Sequence, residues 1–311
     1  MILCVNPNPA IDKTVVVPGF RLGAIHRPAH VLALPGGKGC NVARALVALG
    51  EPAVVTGWVG GHAGRFIEEG LAAEGIAAAF VHTGVEARTC LSIVDSESGR
   101  VTEIYERGEP VTAAQTAELL AQYRGLLGRV AGVTLSGTLP PGCPPDLYRA
   151  LIELARDRGL PAYLDSSGEA LRQGLLGRPA LVKPNAAEFA ELAGARLDDP
   201  AEIVGAARAI AARYETTVVV SRGAAGVLAT DGCAAWEVRA PRVEAGSAVG
   251  SGDCLLAGLV YGLGRGLPLA EALRYGVAAG SANTLQAGAG RFARADFERL
   301  LGETTATALG D

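Results

Sequence analysis

Long apolar runs and closely spaced cysteines are both missing from this sequence of 311 residues. No apolar stretch approaches the length that a helix needs to cross a membrane. The chain reaches Asn6, Pro7 and Asp12 too soon for a signal peptide. The six cysteines include no C-x-x-C pair, which argues against a disulfide framework or a zinc site and favours reduced thiols. We therefore expect a soluble cytoplasmic protein without a membrane partner.

An excess of positive charge is also missing, because the formal net charge is −4 at pH 7. This balance argues against a nucleic-acid partner, so any bound phosphate has to be met by locally placed lysines and arginines. Neither G-x-x-x-x-G-K-[ST] nor G-x-G-x-x-G occurs, which excludes a Walker A loop and disfavours a dinucleotide-binding dehydrogenase. Apolar residues make up 49% of the chain and charged residues 19%, so we expect a large core.

Predicted strands and helices alternate along most of the chain. From residue 112 onwards the apolar periodicity switches regularly, for example from a helix over 112–127 to a strand over 130–136. Such alternation predicts an α/β fold in which a mainly parallel sheet carries helices on both faces. Ligands of such sheets bind beyond the carboxyl ends of the strands. We expect a single domain over residues 1–311, with a tail that frays from Glu303.

Two regions rich in predicted strands interrupt this alternation. One lies near residues 10–35 and the other near residues 87–108, where two strands flank a polar turn over 95–99. Strands without intervening helices do not fit the alternating pattern of the main sheet. We predict that the two regions combine into a small β-sheet lid on the main domain.

The stretch 250–253 carries the strongest functional signal in the sequence. Small residues precede an acid, Asp253, and the apolar residues that follow predict a buried helix. Unpaired N–H groups and the helix dipole at such a start suit an anion, for example a phosphate. A carboxylate there would repel an anion unless it takes a proton from a hydroxyl during phosphoryl transfer. Asp253 could equally be an acid that only favours the helix start.

A second glycine loop, over residues 36–41, opens another predicted helix. Its glycines allow a polar ligand to approach the backbone, Lys38 could meet a phosphate, and Asn41 could bond hydroxyls. The loop could also be a tight turn with an asparagine cap. Arg27 and Arg88, in the predicted lid, are candidate phosphate clamps, although lone surface arginines are usually only solvated.

Polar residues also follow two predicted strands nearer the carboxyl terminus. Asn185 and Glu188, at the start of a helix, could hold a hydrated Mg²⁺ through waters. The same spacing fits a capping box, in which the two residues only close the helix. The segment 221–226 ends a strand, and its glycines could admit the phosphates or the ribose of a nucleotide, or simply turn the chain.

Taken together and in this order, these segments resemble the PfkB/ribokinase family of carbohydrate kinases over essentially the whole chain. The two signature regions of the likeness are residues 36–41 and 250–253. Further segments are similar to the branch of 1-phosphofructokinase, tagatose-6-phosphate kinase and the minor 6-phosphofructokinase. These further segments are 6–12, 136–142, 165–171 and 182–185. The resemblance implies a ribokinase-like fold.

The resemblance also implies a role for each candidate residue, with Asp253 as the general base that deprotonates the acceptor hydroxyl. By the same resemblance, the anion hole consists of the amides of Gly250, Ser251 and Gly252, the sugar hydroxyls are bound by Asp12, Gly37 and Asn41, and the sugar's own phosphate is bound by Lys38, Arg88 and Arg27. For the nucleotide, the resemblance implies that Lys183 contacts its phosphates, that Mg²⁺ is organised through water by Asn185 and Glu188, and that the ATP site is lined by Ser221, Gly223, Gly226 and Asn283. Departures from common family residues at Ser251, Cys254, Thr138 and Arg222 remove no catalytic group.

The implied activity is ATP- and Mg²⁺-dependent phosphorylation of a ketohexose phosphate, with fructose 1-phosphate converted to fructose 1,6-bisphosphate. Tagatose 6-phosphate and fructose 6-phosphate are alternative substrates, because fructose phosphates present similar ends to one pocket. A catalytically silent sugar-phosphate sensor of the same fold is a further alternative, which an intact Asp253 disfavours. The resemblance also implies a homodimer formed through the β lid.

Overall fold

A computed structural model describes residues 1–244 and 246–310 of the chain. The strands are β1 Ile2–Asn6, β2 Ala10–Val17, β3 His30–Gly36, β4 Ala53–Gly60, β5 Ala77–Ala78, β6 Val81–Thr83, β7 Arg88–Asp95, β8 Val101–Tyr105, β9 Gly132–Ser136, β10 Ala162–Asp165, β11 Leu181–Val182, β12 Thr217–Ser221, β13 Val227–Thr230, β14 Ala235–Val238 and β15 Ala306–Leu309. The helices are α1 Lys38–Ala48, α2 Gly61–Ala73, α3 Ala113–Leu126, α4 Leu147–Arg156, α5 Gly168–Leu176, α6 Ala186–Ala193, α7 Pro200–Tyr214, α8 Ser251–Gly264, α9 Leu269–Asn283 and α10 Arg294–Glu303. Short 3₁₀ helices span Leu127–Arg129 and Gly223–Ala225.

The large sheet has the predicted, mainly parallel character. Its strand order is β15-β14-β13-β12-β11-β10-β9-β1-β4-β5, and β6 also pairs with β4. The pairs from β5 through β1 to β12 are parallel. Only β13, β14 and β15 join in antiparallel fashion, at one edge. The carboxyl ends of the parallel strands therefore meet along one side of the sheet, where such folds bind ligands.

The prediction that the tail frays from Glu303 is wrong. Residues after Glu303 form β15, which pairs antiparallel with β14, with Leu309 opposite Ala235 and Ala306 opposite Val238. This pairing satisfies backbone groups that an edge strand would otherwise leave open. The polar composition of the tail gave no sign of a partner that lies some 70 residues earlier in the chain.

Helices cover both faces of the large sheet, because its strands are apolar on both sides. Along β1, Ile2 and Cys4 face one core while Leu3 and Val5 face the other. Helices α1, α2, α8, α9 and α10 pack on the first face, and α3 to α7 pack on the second. In the described part of the chain, no helix is long and apolar enough to cross a membrane.

A separate small sheet has the strand order β3-β2-β7-β8. Its strands fall inside the two regions that interrupt the alternating pattern, as predicted. Strand β2 pairs antiparallel with β3 and parallel with β7, which places Asp12 opposite both Leu34 and Cys90. Because facing residues of paired strands share one side of a sheet, these three side chains lie on the same face.

Candidate active site

The helices α1 and α8 begin at glycines instead of side-chain caps. Gly37 precedes α1 with φ 90° and Gly250 precedes α8 with φ 83°, values that favour glycine. Neither start has a side-chain cap hydrogen bond, whereas Thr112 caps α3 through its hydroxyl. A Cβ at Gly250 would also lie 2.7 Å from Ala289. The chain therefore accepts glycine here for reasons of conformation and of space.

The backbone N–H groups at the start of α8 are only partly engaged. The N–H of Ser251 donates to the carbonyl oxygen of Ala248 at 3.2 Å, and the N–H of Asp253 donates to that of Gly250 at 3.1 Å. Among the described residues, no backbone acceptor faces the N–H groups of Gly250 and Gly252. Two of the three predicted amide donors are thus available to an anion, and the third is already weakly bonded.

Asp253 lies in the first turn of α8 and is 6% exposed. Its Oδ2 accepts a hydrogen bond from Nδ2 of Asn41 at 2.9 Å. Burial raises the pKa of Asp253 to about 7, with Lys38, Asn41 and Lys183 limiting the rise and Asp165 adding to it. A carboxyl group with that pKa is partly ionised at neutral pH and can accept a proton there.

Two lysines converge on the buried carboxylate of Asp165, at the carboxyl end of β10. Nζ of Lys38 lies 3.0 Å from Oδ1 of Asp165, and Nζ of Lys183 lies 3.1 Å from Oδ2. Burial alone would raise the pKa of Asp165, but Lys183 and Lys38 hold it below its usual range. Asp165, Asp253 and Glu188 together raise the pKa of Lys38 against the opposing effect of burial. Asp165 and Lys38 are therefore charged at neutral pH.

The predicted hydroxyl-binding residues lie together at the start of α1. Asp12 packs so closely over the glycine loop that a Cβ at Gly36 would lie 2.1 Å from its Cγ. The N–H of Gly37 donates to Oδ2 of Asp12 at 3.4 Å. Burial raises the pKa of Asp12, while Gly37, Arg44, Arg88 and Asn41 lower it. Asn41 thus lies within reach of two carboxylates.

The two arginines that were predicted to bind a phosphate have different surroundings. Arg88 begins β7, and its guanidinium donates to the carbonyl oxygens of Asn8 at 3.1 Å and Glu106 at 2.9 Å. Its charge also lowers the pKa of Asp12, so it lies near the glycine loop. Arg27 is exposed in the loop between β2 and β3. Among the described residues, no hydrogen bond or ion pair connects Arg27 to this cluster.

Asn185 and Glu188 form the capping box that their spacing allows. Oδ1 of Asn185 accepts from the N–H of Glu188 at 2.9 Å, and Oε2 of Glu188 accepts from the N–H of Asn185 at 2.8 Å. Each bond uses one side-chain oxygen, which leaves Oε1 of Glu188 for another partner. The charge of Glu188 also acts on Lys38, so the cap lies beside the lysine pair. Oxygen donors at this position fit a hydrated Mg²⁺.

The loop after β12 lies beside this cap. The N–H of Ser221 donates to the carbonyl oxygen of Pro184 at 3.0 Å. Gly223 has φ 57° and open space where a Cβ would stand, which leaves room for a ligand. A Cβ at Gly226, in contrast, would lie 2.0 Å from the carbonyl oxygen of Val238. Gly226 therefore has a role in packing this loop on β14, and its contact with the nucleotide stays a prediction.

Asn283, which is also predicted to line the ATP site, contacts the turn that precedes α8. It is fully buried, and its Nδ2 donates to the carbonyl oxygen of Val249 at 2.8 Å. Its Oδ1 accepts from the N–H of Arg291 at 3.1 Å and from Sγ of Cys254 at 3.4 Å. Asn283 thus shapes the turn before α8, a contact that no local pattern in the sequence signals.

Three residues of the site, Asp165, Asn6 and Arg44, have no role predicted from the sequence. Asp165 and Asn6 each end a buried strand at the ligand-binding side of the sheet, which is the signal that could have identified them. Nδ2 of Asn6 donates to the carbonyl oxygen of Gly36 at 3.1 Å and so holds the glycine loop. Arg44 lies inside a predicted helix, and nothing in its local sequence indicates a buried charge.

The sequence and the fold of this chain are similar to those of known carbohydrate kinases. The profile of the pfkB family of carbohydrate kinases matches residues 8–295. Phosphofructokinase-2 from Escherichia coli, solved with potassium, is 31% identical, with a TM-score of 0.90 over 97% of this chain and 98% of that one. The same enzyme has been solved with fructose-6-phosphate and in a tetrameric inhibited form.

Two further solved structures share the architecture. A possible 1-phosphofructokinase from Thermotoga maritima is 28% identical, with a TM-score of 0.90 over 100% of both chains. A ribokinase candidate from Agrobacterium tumefaciens is 20% identical, with a TM-score of 0.80 over 97% of each chain, which supports the fold alone. The predicted ribokinase-like α/β fold is confirmed.

Proposed function

This chain belongs to the pfkB family of carbohydrate kinases and is therefore a phosphotransferase, and from that premise we propose that it phosphorylates a ketohexose phosphate with ATP. The proposed reaction converts fructose 1-phosphate to fructose 1,6-bisphosphate. One observation carries the proposal. It is the buried Asp253, with a pKa of about 7, at a helix start that faces the pair Lys38 and Lys183.

Asp253 acts as the general base in the proposed reaction. Its carboxylate accepts the proton of the sugar hydroxyl while the hydroxyl oxygen forms a bond to the terminal phosphorus of ATP. The bond from that phosphorus to the bridging oxygen breaks, and ADP leaves with the electron pair. The free N–H groups of Gly250 and Gly252, with Ser251 beside them, face the charge that the transferred group carries.

Lys38 and Lys183, which both contact Asp165, neutralise the negative charge of the phosphates in the proposed reaction. Their shared carboxylate places two positive charges side by side, within reach of the start of α8. Lys38 was expected to bind the phosphate that the sugar already carries. Its contact with Asp165 and its effect on Asp253 favour the transferred phosphoryl group instead. Arg88, with Arg27, would then bind the sugar's own phosphate.

The remaining polar groups hold the sugar, the nucleotide and the metal. Asp12, Gly37 and Asn41 would bond the sugar hydroxyls, and Ser221 with Gly223 would face the nucleotide. Asn185 and Glu188 would hold Mg²⁺ through water, with Oε1 of Glu188 left free by the capping box and Oδ1 of Asn185 using its second lone pair. Bound there, the ion would neutralise charge on the nucleotide phosphates. Gly226 and Asn283 would hold the loop after β12 and the turn before α8 in place.

Fructose 6-phosphate or tagatose 6-phosphate is the alternative substrate. The likeness to phosphofructokinase-2, a structure of which holds fructose-6-phosphate, favours this alternative. Release of ADP should be measured with fructose 1-phosphate, fructose 6-phosphate and tagatose 6-phosphate at equal concentrations. We expect the highest kcat/KM with fructose 1-phosphate. A higher value with either of the others would reverse the assignment, and binding of all three without turnover would indicate a sensor.

The base role is tested by the change Asp253→Asn. Because the amide has almost the shape of the carboxyl group but cannot accept the proton, kcat should fall by about 10²–10⁴ while substrate binding is largely kept. Steady-state kinetics and equilibrium binding of the sugar phosphate separate these two quantities. Turnover close to that of the wild type would remove Asp253 from the base role.

The small sheet carries exposed apolar residues that favour contact with a second copy of this chain. Leu22 and Ile25, in its β2–β3 loop, are 93% and 91% exposed, and Ile104 on its edge strand is 56% exposed. Large apolar side chains exposed on one small sheet and its loop favour an interface with a partner. We infer a homodimer formed through this sheet. The proposed partners are thus a sugar phosphate, ATP and a second copy of the chain, in the cytoplasm.

A further inference from the structure

Arg44 is a buried charged residue that none of the roles above uses. It lies one turn after Asn41 on α1 and is 7% exposed. Its Nη1 donates to Oδ1 of Asn41 at 3.0 Å and to the carbonyl oxygen of Ala289 at 2.9 Å. Its Nη2 donates to the carbonyl oxygen of Pro35 at 2.6 Å, and its Nε donates to the carboxylate of Glu74 at 2.7 Å. Burial of this charge is tolerated because its donors find acceptors.

Three of the four acceptors of Arg44 belong to the segments that build the active site, and the fourth, Glu74, ends α2. Pro35 directly precedes the glycine loop that Asp12 covers. Ala289 is the residue against which Gly250 packs at the start of α8. Arg44 therefore joins the glycine loop and helix α1 to the turn beside α8, whose Ala289 lies 245 positions away in the sequence.

The contact with Asn41 has a further chemical consequence. An asparagine amide has one end that only donates and one end that only accepts, while a guanidinium only donates. Oδ1 of Asn41 must therefore face Arg44, so Nδ2 faces Oδ2 of Asp253, at 2.9 Å. An N–H donor stabilises the ionised carboxylate. If the amide turned around, its oxygen would instead favour the protonated acid.

We propose that Arg44 is a positioning residue, which holds the Asn41 amide in the one orientation that presents an N–H to Asp253 and so keeps the base ready to accept a proton. The proposal deepens the function proposed above, because it rests on Asp253 as the base. The charged groups that face Asp253 directly are Lys38, Lys183 and Asp165. Arg44 is linked to Asp253 through the Asn41 amide, which bonds both groups.

The first test follows the carboxyl carbon of Asp253 by NMR in protein labelled with ¹³C-aspartate, without substrate. Asp253→Asn assigns the signal. In Arg44→Met the titration midpoint should rise by about one pH unit, because the amide is free to turn and the carboxylate loses its donor. The ionised fraction at pH 7 would fall from about a half to about a tenth, so kcat at that pH should fall about fivefold.

The second test asks whether Arg44 acts through Asn41. Asn41→Ala should raise the midpoint by a similar amount, and adding Arg44→Met to it should change the midpoint no further. Arg274→Met is the matched control. Its guanidinium also bonds two carbonyl oxygens and a carboxylate, but at α10, away from Asp253. That variant should lose stability and keep the wild-type midpoint.

Arg44→Lys replaces Arg44→Met in both titration tests if Arg44→Met does not fold. A lysine retains the charge but cannot serve the same acceptors with a planar fork of donors. Its midpoint should therefore lie between those of the wild type and Asn41→Ala. A wild-type midpoint in Arg44→Lys or in Arg44→Met would overturn the proposal, and so would shifts from Arg44→Met and Asn41→Ala that add up.

The outcomes also separate this proposal from the proposed function. If the wild type phosphorylates a sugar phosphate, Asp253→Asn does not, and Arg44→Met titrates like the wild type, then only the positioning role is wrong. If Arg44→Met shifts the midpoint but no sugar phosphate is phosphorylated, the positioning role stands and the proposed reaction fails.

Discussion

Asp253 is buried, and burial is unfavourable for the ionised form of its carboxyl group. Burial disfavours its charged form, and the neighbouring charge of Asp165 adds to that effect. Lys38 and Asn41 offset part of the rise, so the pKa settles at about 7 and not far above it. A base whose pKa lies near the working pH is both available and strong enough to take a proton. Such tuning commonly reduces stability in exchange for activity.

This reduction in stability should depend on pH. In the folded state the pKa of Asp253 is about 7, against an ordinary value of 3.8. Between these values the folded state binds more protons than the unfolded state, so this group lowers the free energy of unfolding as the pH rises. Asp253→Asn removes the effect. The variant should therefore gain stability over the wild type between about pH 4 and pH 7, by up to about 4 kcal/mol.

Denaturant unfolding of both proteins at several pH values measures this difference. The exposed Asp157→Asn serves as a control, and its curve should run parallel to that of the wild type. A constant difference between Asp253→Asn and the wild type at all pH values would contradict the linkage argument.

At the scale of elements, the position of Asp253 depends on how closely α8 packs on α9. Gly258 on α8 faces the backbone of α9, where a Cβ would lie 2.4 Å from the carbonyl oxygen of Tyr275. Two glycines of α9 complete the contact, because a Cβ at Gly276 or Gly280 would lie 2.9 Å from a carbonyl oxygen of α8. Without side chains between them, the two backbones come into direct contact.

Gly258→Ala should therefore move α8 away from α9. We expect a loss of about 1–3 kcal/mol in the free energy of unfolding, and a lower kcat, because the shift is transmitted to Asp253. Gly205→Ala is the matched control within α7, where a Cβ meets nothing within 4 Å. It should stabilise the protein by about 0.5–1 kcal/mol without changing kcat. Equal effects of the two substitutions on unfolding and kinetics would contradict the packing argument.

At the scale of the whole molecule, the small sheet lies beside the active site and also carries exposed apolar residues. Asp12 sits on β2, so the same strands that hold a proposed sugar-binding residue continue into the exposed β2–β3 loop. If a second copy covers this loop, association and substrate binding involve one structural unit. Arg27 belongs to that loop and would then be ordered by the partner.

The double change Leu22→Lys and Ile25→Lys should weaken the proposed dimer. Both side chains are almost fully exposed, so the charges should not disturb the folded monomer, but they would be buried without partners in an interface. Sedimentation velocity at micromolar concentration measures the state. Leu176→Lys, on an exposed apolar side chain of α5, is the control and should leave association unchanged. A monomeric wild type would contradict the proposal.

The local sequence was sufficient for the fold class and for the two glycine loops. Alternating strands and helices are encoded by short-range periodicity, and an acid after small residues at a helix start is recognisable within a few positions. The capping box at Asn185 and Glu188 is equally local. These features depend on residues within a turn of one another, so the local sequence is enough to predict them.

The contacts that tune the site were decided only by the tertiary structure. Lys38 and Asp165 are 127 positions apart, and Asn41 and Asp253 are 212 apart. Residues so distant meet because parallel strands end along one side of a sheet, and no local pattern shows which ends will be neighbours. For the same reason the pairing of β15 with β14 and the buried contacts of Arg44 were not visible. The sequence alone therefore determined which groups could do the chemistry, and packing decided which of them meet and with what pKa.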